Sequence, residues 1–397
     1  MRNATIRAVN GLTARWAADV GRGTVFSAAG VWPLLAFLAD GAGGAARREL
    51  AEAVGLPADA AAAAAREVLA ATGALRGLDA ALGLWTRRTL EPREAWRAGL
   101  PAGTHGVLTG DAEADRAALD AWAARRTGGL VERMPVRVGP DAELVLASAL
   151  ALRTRWLRPF EEVPWEPYGG PWHARTLLTL RRTSVLLDRV GVADTPHGHV
   201  TELKVLGDNA LDVHLLLGEE GMAPGRVLAA GVDLLARRHP VVSGPRLPHG
   251  DAGPGLRVVR ERDTRPAPPT LEVTAVAFGV TAEHDLLDRH ELFGLTTAVR
   301  EDPAGHFPGV SAFPLRVGSA RQSAVARFGA RGFEAAAVTA VCAVGGAAPP
   351  PLRYLTTVVE AVFDRPFGFL ALHRHTRLVL AAGWVTDPEP FREDEDD

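Results

Sequence analysis

The histidine pairs are the first residues in the sequence whose type and spacing could support chemistry. His197 and His199 are separated by one residue, as are His373 and His375, so on a β-strand each pair would share one face. Two imidazoles on one face form half of a zinc site. Neither pair has an acidic or thiol partner at ligand spacing, and the sequence therefore predicts no bound metal and no cofactor.

Motifs of the common enzyme classes do not stand out in the 397 residues. The sequence has no Gly-x-Ser-x-Gly nucleophile elbow, no phosphate-binding glycine loop and no evident pair of catalytic carboxylates. The single cysteine, Cys342, excludes an internal disulfide, and its apolar neighbours favour a small packed residue over a reactive thiol. His284, Asp285 and His290 are predicted on the solvated face of a helix. No catalytic residue is therefore assigned.

A run of small residues near the carboxyl end has the clearest functional character. It follows a strand-like segment that ends at Phe328, and its key members are Gly332, Phe333, Glu334, Ala335, Ala336, Ala337 and Thr339. Small side chains can enter a close-packed interior because they add little volume, and Ala and Thr accept an extended backbone. Proline begins only at Pro349, so no ladder donor is missing before it. The same composition also fits an alanine-rich helix over residues 333–340.

Composition narrows the class of protein. A hydrophobic content of 47% allows a sizeable core, and a net charge of −3 argues against a nucleic-acid surface. Residues 1–21 lack the apolar core of a secretory signal, and no segment reaches membrane-spanning length. We expect a cytoplasmic protein without nucleic-acid or membrane contacts, or a secreted one if a signal was removed. Lys204 is the only lysine among the 44 basic residues, which is typical of a GC-rich genome.

Several short motifs occur in the order and at the spacing found in one known family. They are Phe26-Ser27 before an apolar helix, the apolar run Leu144–Leu152 followed by Trp156, Pro159 and Phe160, Pro366-Phe367 with Phe369, and Gly383 with Val385 and Pro388. Together with the small-residue run they resemble the serpins. The chain is identified as a divergent bacterial member of the serpin superfamily, with the resemblance running from about Ala4 to Pro388.

The resemblance implies an α+β fold with three β-sheets and about nine helices. We expect a single serpin-like domain over residues 1–390, with an exposed reactive-centre-like loop at about 330–358 and a disordered acidic tail at 391–397. The sequence itself predicts an amphipathic first helix through Ile6, Val9, Leu12 and Trp16, and a helical stretch over residues 282–293. The family pattern predicts a helix across the central sheet that ends near Arg126, and places the second histidine pair in a turn.

The resemblance also implies inhibition of a serine protease by a monomer. In serpins a protease cuts a bait bond in the loop and becomes acylated, and the freed hinge then inserts into the central sheet. The hinge here would be the run from Gly332 to Thr339. The region where the sheet opens would contain Ser27, Ser148, Trp156 and Gln322, and Gly30 leaves only part of the family's polar cluster.

Two departures concern the loop. Phe333 stands where the family has Thr or Ser, and on strand alternation it shares the buried face with Ala335, Ala337 and Thr339. Inserting a phenyl ring there would cost about 1–3 kcal/mol. Counting forward from the hinge by the family spacing places the scissile bond at Gly345-Gly346, whereas counting back from Pro366 places it near Leu355. The two counts differ by roughly nine residues, so the loop would be longer than the family's loop by that amount. Arg353 would suit an acidic specificity pocket, and Leu352 or Leu355 an apolar one.

Two other functions fit the same scaffold, because a fold does not fix a function. A chain released from inhibition could bind a peptide or a protein through its exposed loop. It could alternatively be a biosynthetic enzyme that acts on a peptide natural product, by ring closure or by stereochemical control. The sequence shows no dedicated residues for either role.

Overall fold

The computed structural model describes residues 1–136, 143–333 and 354–392. The α-helices in this part of the chain are α1 (Asn3–Ala18), α2 (Ala28–Gly41), α3 (Gly44–Val54), α4 (Ala58–Gly73), α5 (Glu94–Gly99), α6 (Ala112–Arg126) and α7 (Pro224–Leu235). The strands are β1 (Thr24–Phe26), β2 (Leu78–Arg87), β3 (His105–Leu108), β4 (Leu144–Leu152), β5 (Thr154–Arg155), β6 (Glu161–Trp165), β7 (Leu177–Ser184), β8 (Val190–Thr195), β9 (Gly198–Leu206), β10 (Leu211–Gly218), β11 (Val241–Ser243), β12 (Gly250–Gly253), β13 (Leu256–Asp263), β14 (Thr270–Val276), β15 (Phe278–Asp285), β16 (Val317–Phe328), β17 (Gly332–Phe333), β18 (Tyr354–Val362), β19 (Phe367–His373) and β20 (Leu378–Val385).

Three β-sheets and one short ladder contain these strands. The central sheet has the order β15-β16-β4-β2-β3, and the short ladder pairs β17 with β5 at its upper end. The second sheet has the order β1-β20-β19-β10-β9-β8-β11, and the third has the order β12-β13-β18-β14-β7-β6. The strands that flank the small-residue run, β16 and β18, thus belong to two different sheets.

The middle of the central sheet is buried on both faces. Every residue of β4 is buried, as its uninterrupted apolar sequence predicts for a strand without a solvent face. One face packs on α2, whose buried residues include Trp32 and Phe37. The other face is covered by α6, where Leu119 and Trp122 pack against Ala147 and Ala149. The expected helix across the central sheet is present.

Local sequence signals explain the ends and faces of the helices that support this sheet. Asp111 caps α6, since its carboxylate accepts hydrogen bonds from the backbone N–H groups of Glu113 and Ala114. The amphipathic spacing predicted for the first helix is confirmed, with Leu12 and Trp16 buried in the core. Among the described residues, no helix has both the length and the apolar content required to cross a membrane.

One prediction about secondary structure was wrong. The described residues form seven α-helices, and the expectation of about nine concerned the whole chain. The stretch expected to be helical over residues 282–293 begins instead inside β15, which pairs antiparallel with β16 along eight residues, from Phe278 opposite Phe328 to Asp285 opposite Arg321. Cross-strand pairing determines the structure there, because local apolar spacing in a short segment cannot distinguish a helix from a strand.

Candidate functional site

The boundary between β4 and β16, here called the seam, is where the family resemblance predicts that the central sheet opens to accept another strand. The two strands run parallel and pair from Val317 opposite Leu144 to Ala324 opposite Leu150. Beyond Ala324 they no longer pair with each other, and β17 contacts both β16 and β5. The seam is therefore closed along its lower part and occupied at its upper end by the first two residues of the predicted hinge.

A tight turn over residues 329–333, here called the hinge turn, reverses the chain between β16 and β17. Trp156 holds it with two hydrogen bonds: its indole Nε1 donates to the carbonyl of Gly329 at 2.8 Å, and its backbone N–H donates to the carbonyl of Arg331 at 2.9 Å. The Trp156 ring lies 4.9 Å from the ring of Phe328. The backbone N–H of Phe160 donates to the carbonyl of Ala330 at 2.8 Å. Trp156, predicted for the opening region, thus anchors the turn from which the loop departs.

Glycine is required at position 332 by close backbone approach. Gly332 lies opposite Arg155 in the ladder between β17 and β5. A Cβ atom at Gly332 would lie 2.3 Å from the carbonyl oxygen of Thr154, a separation that no side chain could adopt without displacing the backbone. The glycine of the hinge motif therefore has a steric role in this structure.

The phenyl ring of Phe333 is already inside the protein. Its exposed fraction is 1%, and its ring centroid lies 6.0 Å from that of Phe369 in the second sheet. The predicted cost of about 1–3 kcal/mol for inserting this ring stays a prediction. In this structure the ring already occupies an apolar position in the core, while β4 and β16 still pair along the seam below it.

A buried polar cluster crosses the closed part of the seam. Gln322 on β16 lies opposite Ser148 on β4, and its side-chain amide donates to Ser148 Oγ at 3.4 Å and to the carbonyl of Ser27 at 2.8 Å. In return, the backbone N–H of Ser27 donates to Gln322 Oε1 at 2.8 Å. Ser27 Oγ also caps α2 by accepting from the N–H of Gly30. The structure thus brings together three of the four residues predicted for the opening region.

Gly30 gives this cluster its shape. A Cβ atom at Gly30 would lie 2.8 Å from Ser148 Oγ, so the missing side chain leaves the space that the serine hydroxyl occupies. The cluster is therefore a three-residue network of Ser27, Ser148 and Gln322, which agrees with the expectation that only part of the family's network forms. Each member has an exposed fraction of 0%. An unpaired polar group here would cost about 1–3 kcal/mol, so the cluster holds the two strands in register.

The remaining loop predictions fall mostly outside the described residues. They concern Glu334, Ala335, Ala336, Ala337, Thr339, Cys342, Gly345, Gly346, Leu352 and Arg353. Leu355 is described: it lies on β18 opposite Arg262 of β13, with 67% of its surface exposed. A residue within a strand ladder is a poor bait for a protease, because a protease binds an extended backbone that is free of other pairing.

The histidine pairs lie apart from the hinge. His373 Nδ1 is 2.9 Å from Thr376 Oγ1, and Arg374 beside it forms two hydrogen bonds with the buried carboxylate of Asp212. His199 is paired with Glu219 at 2.9 Å. Among the described residues, no group of three or more His, Cys, Asp or Glu side chains is arranged to hold a metal ion.

His284 does not lie on the solvated face of a helix, contrary to the prediction. It is on β15, where its Nε2 donates to the carbonyl of Val25 at 2.8 Å and its ring lies 5.1 Å from Trp16. Burial lowers the pKa of His284 below its ordinary value, which favours the neutral ring.

One functional neighbour was missed by the sequence reasoning. Phe369, which packs on Phe333, stands out in the sequence only as part of a Pro-Phe-x-Phe motif. The available signal was the two-residue period of a strand, which places Phe367 and Phe369 on one face of β19. This period shows which residues share a face, but it does not identify the partner from another sheet.

Comparisons with known proteins agree with this architecture. The family model described as serpin (serine protease inhibitor) matches residues 10–167. The rice protein named serpin-Z8 (Oryza sativa subsp. japonica) is 27% identical over 416 residues, which cover 94% of this chain and 92% of the relative. A serine proteinase inhibitor of Cavia porcellus is 23% identical over 288 residues, which cover 68% of this chain and 57% of the relative.

Solved structures show the same fold at lower identity. Human thyroxine-binding globulin in complex with thyroxine aligns with a TM-score of 0.71 at 17% identity, covering 98% of each chain. The thermophilic serpin Tengpin in its native state aligns with a TM-score of 0.70 at 13% identity, covering 97% of this chain and 93% of its own. The family model thus matches the serpins over the first part of the chain, and these structures show that the fold is the serpin fold. The named relatives come from a plant and an animal, so the bacterial origin stays a prediction.

Proposed function

We propose that this chain, whose fold is that of the serpins, inhibits a serine protease by inserting its hinge into the seam of the central sheet. The observation that carries the proposal is the position of β17. Its two residues run antiparallel to β5 and lie between β5 and β16, as the first residues of an inserted strand would. The relatives named above favour inhibition over a biosynthetic enzyme.

The register of β17 defines where the following residues would go. Phe333 lies opposite Thr154, and continuing the strand antiparallel to β4 would place Ala335 opposite Leu152, Ala337 opposite Leu150 and Thr339 opposite Ser148. These residues would share the core-facing side with Phe333. The Thr339 hydroxyl would then reach the cluster of Ser148 and Gln322. A hydroxyl is suited to that place because it can complete the hydrogen bonds of a buried polar cluster, whereas an apolar neighbour would leave them unmade.

The bait bond belongs, in this proposal, to residues 334–353 between β17 and β18. Leu352 or Arg353 would then select a protease with an apolar or an acidic specificity pocket, and Gly345-Gly346 is the alternative from the forward count. Cleavage would free the hinge and release the constraint that connects the central sheet to the third sheet. Insertion would add a strand that pairs on both sides, which gives the cleaved form its extra stability.

The test is incubation of the intact chain with a panel of serine proteases, followed by a denaturing gel and by thermal unfolding before and after loop cleavage. We expect a complex that survives denaturation and a rise in Tm on cleavage. Ala337→Glu should abolish the complex while cleavage continues, because the strand would have to bury an unpaired carboxylate. Ala4→Glu, at the exposed start of α1, is the matched control.

Two results would contradict the proposal. Cleavage without a complex and without a change in Tm would show that the hinge does not insert. A rise in Tm without a complex for any protease would show insertion that is too slow to trap the enzyme, and would exclude inhibition as the function.

A further inference from the structure

A pocket lies between the second and third sheets, apart from the seam. Its walls come from β9, β7 and β14, and from the segments that join β5 to β6 and β7 to β8. Counting the part that is open to solvent, the pocket holds about 510 Å³ of empty space. The space within it that the centre of a water-sized sphere can occupy is about 100 Å³, so the pocket is a small, open one.

Four cationic side chains face the pocket: Arg158, Arg182, Arg189 and Lys204. Two of them have a carboxylate partner at 3.4 Å, Asp188 for Arg189 and Glu202 for Lys204. The positive charge of the pocket is thus only partly neutralised by these two pairs.

The other two cations make contacts of a different kind. Arg182 donates to the carbonyl of Arg158 at 2.8 Å, and its guanidinium lies 4.1 Å from the centre of the Phe160 ring. Arg158 donates to Ser184 Oγ at 3.3 Å. In the described part of the chain, these contacts are with a carbonyl, a hydroxyl and an aromatic ring, and none is with a carboxylate.

Arg182 is the more constrained of these two arginines. Burial, and then the nearby charges of Arg158 and Arg189, lower the pKa of Arg182 to about 10. The side chain therefore stays charged at neutral pH in a place that already holds excess positive charge. An anion that enters the pocket would relieve this repulsion, since opposite charge favours the ionised form.

The rest of the lining is aliphatic. Leu271 and Val273 form a buried floor, with exposed fractions of 1% and 2%, while Leu186 and Leu206 are half-buried. Leu157 lies at the rim and is 59% exposed. A hydrated inorganic ion gains little from such walls, whereas each methylene moved from water onto them strengthens binding.

We propose that this pocket binds a small amphipathic organic anion, namely a carboxylate with an aliphatic chain of medium length. The carboxylate would accept hydrogen bonds from the guanidinium groups of Arg158 and Arg182. The chain would lie on Leu271 and Val273 and be covered by Leu157. A neutral molecule would leave the arginine charge uncompensated, and an inorganic anion would leave the aliphatic floor exposed to water.

The direct test is calorimetric titration of the full chain with octanoate, with octan-1-ol and sulfate as comparison ligands. We expect one octanoate to bind per chain, and at least about tenfold weaker binding of octan-1-ol and of sulfate. Equal affinity for octan-1-ol would show an apolar pocket with no anion site. Equal affinity for sulfate would show an anion site with no use for the aliphatic walls. Either result, or no octanoate binding, would overturn the proposal.

Substitutions then assign the binding to this pocket. Arg158→Gln should weaken octanoate binding about tenfold and preserve the fold, because Arg158 is exposed. Leu157→Glu should also weaken it, by placing a like charge at the rim. Arg262→Gln, an exposed arginine on β13 outside the pocket, is the control and should leave the affinity unchanged. If neither pocket substitution changes the affinity, octanoate binds elsewhere and the proposal is wrong.

Discussion

The aromatic ring of Phe333 joins the hinge turn to the core of the molecule. Its neighbour Phe369 packs 5.2 Å from Phe278, which stacks on Phe328 at 5.3 Å. Phe328 also lies against Trp156, the residue that fastens the turn. A continuous set of rings therefore connects the end of β16 with the start of the loop. Removing one ring should loosen the turn as well as leave a cavity.

We expect Phe333→Ala to lower the free energy of unfolding by about 3 kcal/mol, because a fully buried phenyl ring is lost and the space is filled only in part. Urea unfolding of the intact chain measures the change. Phe313→Ala is the control, since that ring is 52% exposed. If the two substitutions cost the same, the ring of Phe333 does not stabilise the folded chain.

The sequence predicted the identity of the hinge residues better than their environment. The Gly332-x-Glu334 pattern predicts the hinge, which stays a prediction, whereas the structure does bring Ser27, Ser148 and Gln322 into one hydrogen-bonded cluster. The pattern placed Phe333 on the buried face but could not identify its partner Phe369, which is distant in the sequence and lies in another sheet. Spacing within one segment describes that segment's own faces, whereas the partner of a buried ring is set by the packing of several elements.

At the scale of elements, the hairpin of β12 and β13 makes β18, the strand after the loop, an inner strand of the third sheet. β13 pairs antiparallel with β18 along eight residues, from Leu256 opposite Ala361 to Asp263 opposite Tyr354. On its other side β18 pairs parallel with β14. β18 is consequently an inner strand, and both its edges are hydrogen-bonded. Such a strand should open less readily than an edge strand.

Val258→Asp should release β18 from its partner, because Val258 is buried opposite Val359 and a carboxylate there would lack a partner. We expect amide hydrogen exchange over residues 354–362 to become at least about tenfold faster, with little change in β20. Mass spectrometry of peptic fragments measures it. Arg260→Ser, at an exposed position of the same strand, should have no such effect. Equal exchange in both variants would show that β13 does not hold β18 in place.

Secondary structure was predicted correctly where the sequence shows a single hydrophobic pattern, and wrongly where a strand pattern and a helix pattern adjoin. β4 is apolar throughout, which predicts a buried strand, and the structure confirms it. β15 contains alternating apolar and polar residues, Val280 to Glu283, followed by a leucine-rich segment that suggested a helix. Its strand structure depends on eight pairs with β16, a contact that no local pattern records.

At the scale of the whole molecule, carboxylates with lowered pKa connect stability to acid. For Asp115, burial alone would raise the pKa, but hydrogen bonds from Thr109 and Gly110 outweigh it and the pKa is lowered. For Glu202, burial likewise acts upward and is outweighed by the charge and hydrogen bond of His214 and by Lys204, which lower the pKa to about 2. Such groups stabilise the folded state when ionised.

The direction in which pH changes the free energy of unfolding follows from comparison with the unfolded chain, where these carboxyl groups have ordinary pKa values. Stability from a lowered pKa is fully present above the unfolded value and is lost as the pH falls toward the folded value. Glu272 has the opposite sign, because burial and then the charges of Glu261 and Glu360 raise its pKa. Its contribution is present in acid and is lost as the pH rises through the folded value.

Glu202→Gln and Glu272→Gln therefore form a matched pair for measuring the free energy of unfolding against pH. We expect Glu202→Gln to lower stability at neutral pH and to make the acid limb below about pH 4.5 shallower, because the buried His214 and the half-buried Lys204 lose their partner. Glu272→Gln should raise stability at neutral pH, because it removes a carboxylate from two like charges. Urea titrations at successive pH values measure both. Parallel curves for the wild type and Glu202→Gln would show that this carboxylate does not govern the loss of stability in acid.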